Sequence, residues 1–135
     1  MKKYIIVSIS ILIIFGACNT SKYIIHKKEK LLIGNWNFIN VQSPKTKMNQ
    51  ELYEATMKEL LKNSYMNFYA DKSALSEFTG KKLKGTWKIV SKGEKLIIKF
   101  DGKDVELKII TLTKTDLVYS MSDKKDEIIM TLKKE

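Results

Sequence analysis

Catalysis needs side chains that can attack, shuttle protons or hold a metal, and this 135-residue chain has few of them in useful places. It contains one cysteine, Cys18, and one histidine, His26. A metal site needs several ligands converging in space, and nothing near His26 could join it. His26 is therefore expected to be exposed and inert, with no metal and no cofactor. Serines are plentiful, but a nucleophilic serine needs an adjacent base. Asp123 and Asp126 sit among lysines in a hairpin loop, where solvated charge is the ordinary reading. No phosphate-cradling glycine loop or metal-ligand spacing occurs. These residues point away from an enzyme.

The charge narrows the partners. Lysine and arginine number 25 against 15 acidic residues, a net charge of +10, and every basic residue is lysine. Base and phosphate recognition leans on the planar fork of arginine, so a nucleic-acid partner is not expected. The lysines read as solvated faces of strands, with some attraction to anionic lipid head groups.

Lys2 and Lys3 precede an apolar run from Tyr4 to Phe15, broken only by Ser8 and Ser10. The run is too short for a membrane-spanning helix, which needs about 20 apolar residues, and it suits an export signal. Phe15-Gly16-Ala17-Cys18 follows. Small residues before a lone cysteine resemble the lipobox of bacterial lipoproteins, with Phe15 where leucine is usual. The resemblance implies cleavage after Ala17 and lipidation of Cys18. Several acyl chains on one residue hold a protein stably to a membrane. The expected address is a membrane of the cell envelope, the outer membrane by preference, with the domain outside the cytoplasm. A plain signal peptide leaving a free thiol is the alternative. Residues 1–17 are thus read as signal, 18–30 as lipidated cysteine and tether, and 31–135 as the domain. Removing Lys2 and Lys3 lowers the net charge to +8.

From Leu31 onward the apolar residues alternate with a period of two, the mark of half-buried strands. Leu32, Gly34, Trp36 and Phe38 share one face of a first strand. The period then changes: Leu52, Tyr53, Thr56, Met57, Leu60 and Leu61 form a helical stripe, with Asn49 as N-cap and Glu51 in the first turn. One helix is predicted near 50–63. Seven further strands are predicted near 65–70, 74–80, 83–91, 94–100, 103–112, 115–121 and 126–133. Their connections are too short for crossovers, so neighbours must be antiparallel. Eight one-faced strands in meander order need two stacked sheets or closure, and closure removes both edges. Ile97, Ile110, Val118 and Ile129 sit in the outer phase and are left as a docking strip, a partner surface or scattered exposed residues.

Both tryptophans stand two residues after a glycine, in Gly34-Asn35-Trp36 and Gly85-Thr86-Trp87. At a period of two each glycine and its indole project inward, and the glycine is expected to leave room for the ring. At Leu32-Ile33-Gly34-Asn35-Trp36, Gly85-Thr86-Trp87-Lys88-Ile89, Leu96-Ile97-Ile98 and Ile109-Ile110-Thr111-Leu112-Thr113 the chain resembles the lipocalin-like domains of small bacterial lipoproteins, over about residues 31–133. The resemblance implies an eight-stranded antiparallel up-and-down barrel with a helix between the first and second strands, and carriage of small apolar molecules. Members of the wider lipocalin group often stack an arginine from the last strand on the first-strand tryptophan. Here Lys134 has the parity to take that place over Trp36.

Two functions follow as expectations. The first is binding of a small hydrophobic ligand, with a lining drawn from Trp36, Phe38, Phe68, Trp87, Ile89, Phe100, Leu107, Tyr119 and Met130, and from Tyr53 and Met57 on the helix. Inward Tyr119 needs a partner or a polar group of the ligand. The second is a protein-binding envelope module, an inhibitor or accessory subunit, whose barrel is a packed scaffold and whose partner contacts lie on loops or on the misphased isoleucines. The sequence names neither the ligand nor the oligomeric state.

Overall fold

The computed structural model describes residues 20–43, 49–123 and 126–135. The leader, Cys18 and the lipobox lie outside the described residues, as do Pro44 and Lys125 of two predicted turns. A helix, α1, runs through residues 20–32. The strands are β1 (Gly34–Gln42), β2 (Tyr65–Phe68), β3 (Ser73–Phe78), β4 (Lys81–Val90), β5 (Lys95–Phe100), β6 (Lys103–Leu112), β7 (Asp116–Asp123) and β8 (Asp126–Lys134), with α2 (Gln50–Leu60) between β1 and β2. Every strand pairs antiparallel with its chain neighbour, and β8 returns to β1, closing the eight-stranded barrel. The predicted architecture is the observed one, and β2 to β8 end within about two residues of the predicted limits.

Closure follows from the alternation. Trp36, Phe38, Met66, Phe68, Trp87, Ile89, Leu96, Ile98, Leu107, Leu117, Tyr119, Met130 and Leu132 all belong to one buried cluster. Two bulges adjust the phase. In β1 the pairing with β8 shifts between Phe38 and Asn40, so Ile39 is exposed while Val41 turns back inside opposite Met130. In β6 the shift lies between Ile109 and Thr111, and the extra residue Ile110 is pushed outward. Each bulge adds one residue against the partner strand and bends its own strand, as a tight barrel requires. Ile110 is thus misphased because it is the bulge residue. Ile97, Val118 and Ile129 are half-buried on the outer face.

The N-terminal segment departs from expectation. Residues 20–30, read as a tether, are helical and packed on the barrel, and Leu32 ends α1 instead of opening the first strand. Leu32 is fully buried, and Ile25 and Ile33 pack on the core. The Lys28 ammonium donates to the Gly93 carbonyl at 2.7 Å, and Glu29 pairs with Lys72 at 2.8 Å. The helix therefore plugs the barrel end formed by the β2–β3, β4–β5 and β6–β7 turns. His26 is exposed on its outer side, as expected. Among the described residues the buried cluster lies between Leu32 and Leu132, so the segment 20–135 contains that core together with the helix that plugs it. No helix of the described residues is long and apolar enough to cross a membrane.

Helix α2 starts where the cap predicts, with the Asn49 side chain accepting from the Glu51 amide at 2.9 Å. It stops at Leu60, and the chain turns through Asn63 at a φ of 66°, a conformation that asparagine tolerates better than most residues. Tyr53, Met57 and Leu61 carry its contact with the barrel, while Leu52 and Leu60 are exposed. The six-residue stripe shrinks to one row because α2 packs chiefly beside β1.

Candidate functional site: the open end of the barrel

The two barrel ends differ. At the plugged end each indole is held by hydrogen bonding and by a lysine. Trp36 Nε1 donates to the Leu32 carbonyl at 2.7 Å, and Trp87 Nε1 donates to the Tyr69 carbonyl at 3.0 Å. The Lys134 ammonium lies 5.0 Å from the Trp36 ring centroid and donates to the Leu31 carbonyl at 2.9 Å. The Lys72 ammonium lies 4.3 Å over the Trp87 ring. The position predicted for Lys134 is the one it occupies, and burial pushes its pKa below the usual lysine value. Phe68 meets Trp87 edge to face, with centroids 5.8 Å apart. These side chains fill the interior.

The glycines do something other than seat their own indoles. A Cβ on Gly34 would stand 2.7 Å from Lys134 Cε, so this glycine makes way for the lysine that covers Trp36. A Cβ on Gly85 would stand 2.0 Å from the Lys99 carbonyl oxygen and 2.8 Å from the Phe100 ring. Gly85 lets β4 and β5 approach closely and gives space to an aromatic ring on the facing residue, a pairing known to suit glycines in curved sheets. In both cases the neighbour served is across the ladder, not two residues along the chain.

At the other end a cavity of about 220 Å³ opens inside the barrel. Phe38, Phe100, Leu107, Tyr119 and Met130 from the predicted lining surround it, and Met66, Ser76, Phe78, Ile98, Val105 and Met121 complete it. The other predicted residues do not line it. Trp36, Phe68, Trp87 and Ile89 belong to the packed core, Met57 packs against that core and Tyr53 is buried on α2, which packs beside β1. Met66, Ile98, Val105 and Met121 have the inward parity that the alternation supplies; what parity cannot supply is depth along the barrel axis. Phe78, at the end of β3 beside Phe38 (centroids 5.7 Å apart), is partly exposed at the rim.

Tyr119 is the polar group of this chamber. It is 2% exposed, and its hydroxyl has no hydrogen-bond partner among the described residues. Burial alone pushes its pKa well above the usual tyrosine value of 10.0. Ser76, also buried, has no side-chain hydrogen bond among the described residues either. Among the described residues no charged side chain lines the cavity. The wall is thinnest between β6 and β7, whose pairing among the described residues ends at Lys108 and Ser120. Beyond that pair, Val105 and Met121 border both the cavity and an outer groove of about 510 Å³ edged by Lys95, Glu106, Lys108 and Glu127. Among the described residues no group of three or more His, Cys, Asp or Glu side chains could hold a metal.

Comparison with known proteins agrees with this geometry. A crystal structure of a DUF4847 family protein from Bacteroides vulgatus superposes with a TM-score of 0.53 at 14% identity, covering 77% of this chain and 95% of that one. At that identity the likeness concerns the fold alone. No curated protein matches the chain. The lipocalin-like domain family matches residues 32–119, from the end of the plugging helix to Tyr119 in the cavity wall. The chain belongs to the lipocalin-like domain family.

Proposed function

We propose that this chain is a non-catalytic binding protein of the cell envelope, held to a membrane by a lipid on Cys18, which takes a small apolar molecule into the open end of its barrel. The observation that carries the reading is the chamber itself. Its walls are apolar, it opens to the outside, and it contains an inward hydroxyl with no hydrogen-bond partner among the described residues. Small-molecule sites have this character: mostly hydrophobic, with a few placed polar groups. The anchor reading rests on the lipobox resemblance. It predicts that Cys18→Ala, expressed in a bacterium, moves the protein from the membrane fraction to the soluble fraction.

For the ligand, residues 20–135 expressed in an envelope compartment and weighed by native mass spectrometry should carry a co-purifying apolar adduct. A second reading, a partner-binding module on a filled scaffold, draws support from Trp36, Phe68, Trp87 and Ile89, which are packed core. A mass with no adduct, together with failure to take up any added apolar probe, would favour that reading instead.

A further inference from the structure

The cavity wall carries two kinds of information about what fits inside. Apolar side chains such as Phe38, Met66, Ile98 and Leu107 form most of it. Set into them are the Tyr119 hydroxyl on β7 and the Ser76 hydroxyl on β3, four strands apart in a ring of eight and hence on facing walls. Neither has a side-chain hydrogen bond among the described residues. Neither oxygen is among the fully buried unpaired side-chain atoms of the described residues, which are Asn35 Oδ1 and Asn67 Oδ1, so both hydroxyls reach accessible space in the open chamber, where a bound group can supply the hydrogen bond each lacks.

Charge is what the chamber lacks. The chain is crowded with lysine, yet among the described residues no lysine lines this cavity. Lys134, placed inward by parity, sits at the plugged end with its ammonium committed to the Leu31 carbonyl. An anion drawn fully into the chamber would lose its hydration and meet no cation among the described lining residues, which is far more costly than burying a neutral polar group. The burial that keeps the Tyr119 phenol from ionising would act the same way on a bound carboxylate. A volume of about 220 Å³ falls below the roughly 300–1,000 Å³ of pockets for drug-sized molecules. At about 30 Å³ for each water-sized group, it holds on the order of seven non-hydrogen atoms, and a longer chain would emerge past Phe78 and Phe100.

We infer that the cavity selects an uncharged amphiphile, an apolar chain or ring bearing one neutral oxygen function such as a hydroxyl or carbonyl, with that oxygen hydrogen-bonded to Tyr119, and that it discriminates against carboxylates. The inference rests on the binding reading above and deepens it.

The test uses residues 20–135 and three probes: 1-octanol, octanoate at pH 8, and toluene as a purely apolar control, each titrated calorimetrically. The wild type should bind octanol at least tenfold more tightly than octanoate. Tyr119→Phe keeps the ring and should fold, as circular dichroism will check; it should lose about tenfold in octanol affinity with toluene unchanged. Ser76→Ala, the smaller change on the opposite wall, supplies a second variant in case Tyr119→Phe misfolds, and should weaken octanol more than toluene. Octanoate binding as tightly as octanol, or both variants binding octanol like the wild type, would overturn the inference while leaving an apolar container intact. Failure of both octanol and toluene to bind the wild type would remove the container as well.

Discussion

One methyl group added at Gly85 probes the closest approach in the barrel. In Gly85→Ala the new Cβ would stand 2.0 Å from the Lys99 carbonyl oxygen and 2.8 Å from the Phe100 ring, where real Cβ contacts are essentially never below 3.0 Å. The ring can turn aside, but the carbonyl belongs to the β4–β5 ladder and cannot move alone. Relief needs the two strands to part locally by about 1 Å, which carries a ladder hydrogen bond of ordinary length out of range. Losing one or two such bonds, with their groups left buried, costs about 1–3 kcal/mol each. Overpacking in cores independently costs about 1–3 kcal/mol. A loss of about 3 kcal/mol is therefore expected, a large part of the roughly 5–15 kcal/mol that holds a domain together. For a domain of this size that lowers the Tm by about 10 °C. Thermal unfolding followed by circular dichroism, with urea unfolding followed by tryptophan fluorescence, would measure it. Gly102→Ala is the control: nothing lies within 4 Å of its Cβ, and only a φ of +76° opposes the change, at about 1 kcal/mol. If Gly85→Ala melted within 2 °C of the wild type, or cost less than Gly102→Ala, the close approach of β4 and β5 would be refuted.

Other perturbations follow from the same geometry. Lys134→Ala should cost about 1 kcal/mol and alter tryptophan emission, because it removes the cation over Trp36 and a hydrogen bond to α1; unchanged emission and Tm would contradict the contact. A chain starting at residue 33 should fail to fold stably while one starting at residue 20 folds. The shorter chain loses buried Leu32, worth about 1.5–3 kcal/mol, and leaves the Trp36 indole N–H without its acceptor; limited proteolysis of the two would decide. Asp116 is held below the usual carboxylate range by a hydrogen bond from Lys133, helped by Thr115. The stability it contributes is present above about pH 3.9, the unfolded value, and is lost as pH falls through the lower folded value. Asp116→Asn should therefore flatten the drop in urea midpoint below pH 4. Tyr119 runs the other way: below pH 10 both states keep the phenol proton, and above it only the unfolded chain releases it readily. Stability should fall as pH rises past 10, and less steeply in Tyr119→Phe.

Much of this molecule could be read from residue order. Alternation along Leu96, Ile98 and Phe100 and along Val105, Leu107 and Ile109 states which side of each strand is wet, and Asp101-Gly102 states where the chain turns back. Those are local properties, set by a side-chain period of two and by backbone that tolerates positive φ. Together with short connections they leave closure as the economical way to hide eight apolar faces. Where parity was enough, as for Lys134 against Trp36, a cross-barrel contact was legible too.

Depth and cross-strand proximity were not. Trp36 and Phe38 share a face, yet one lies in the filled end and the other on the cavity wall, because height along the barrel axis depends on register and bulges that involve two strands at once. Residues 20–30 look like a polar tether when read alone; they belong to a plug because Trp36, Lys134, Lys72 and Gly93, from four separated parts of the chain, together supply partners for α1. The glycines before the two indoles serve Lys134 and Phe100 on facing strands, neighbours that no spacing along the sequence reveals. The order of residues by itself determined which side chains turn inward and made closure the preferred way to cover them. Only the tertiary structure decided which of those side chains fill the barrel and which surround a space, because packing is settled between strands and not along them.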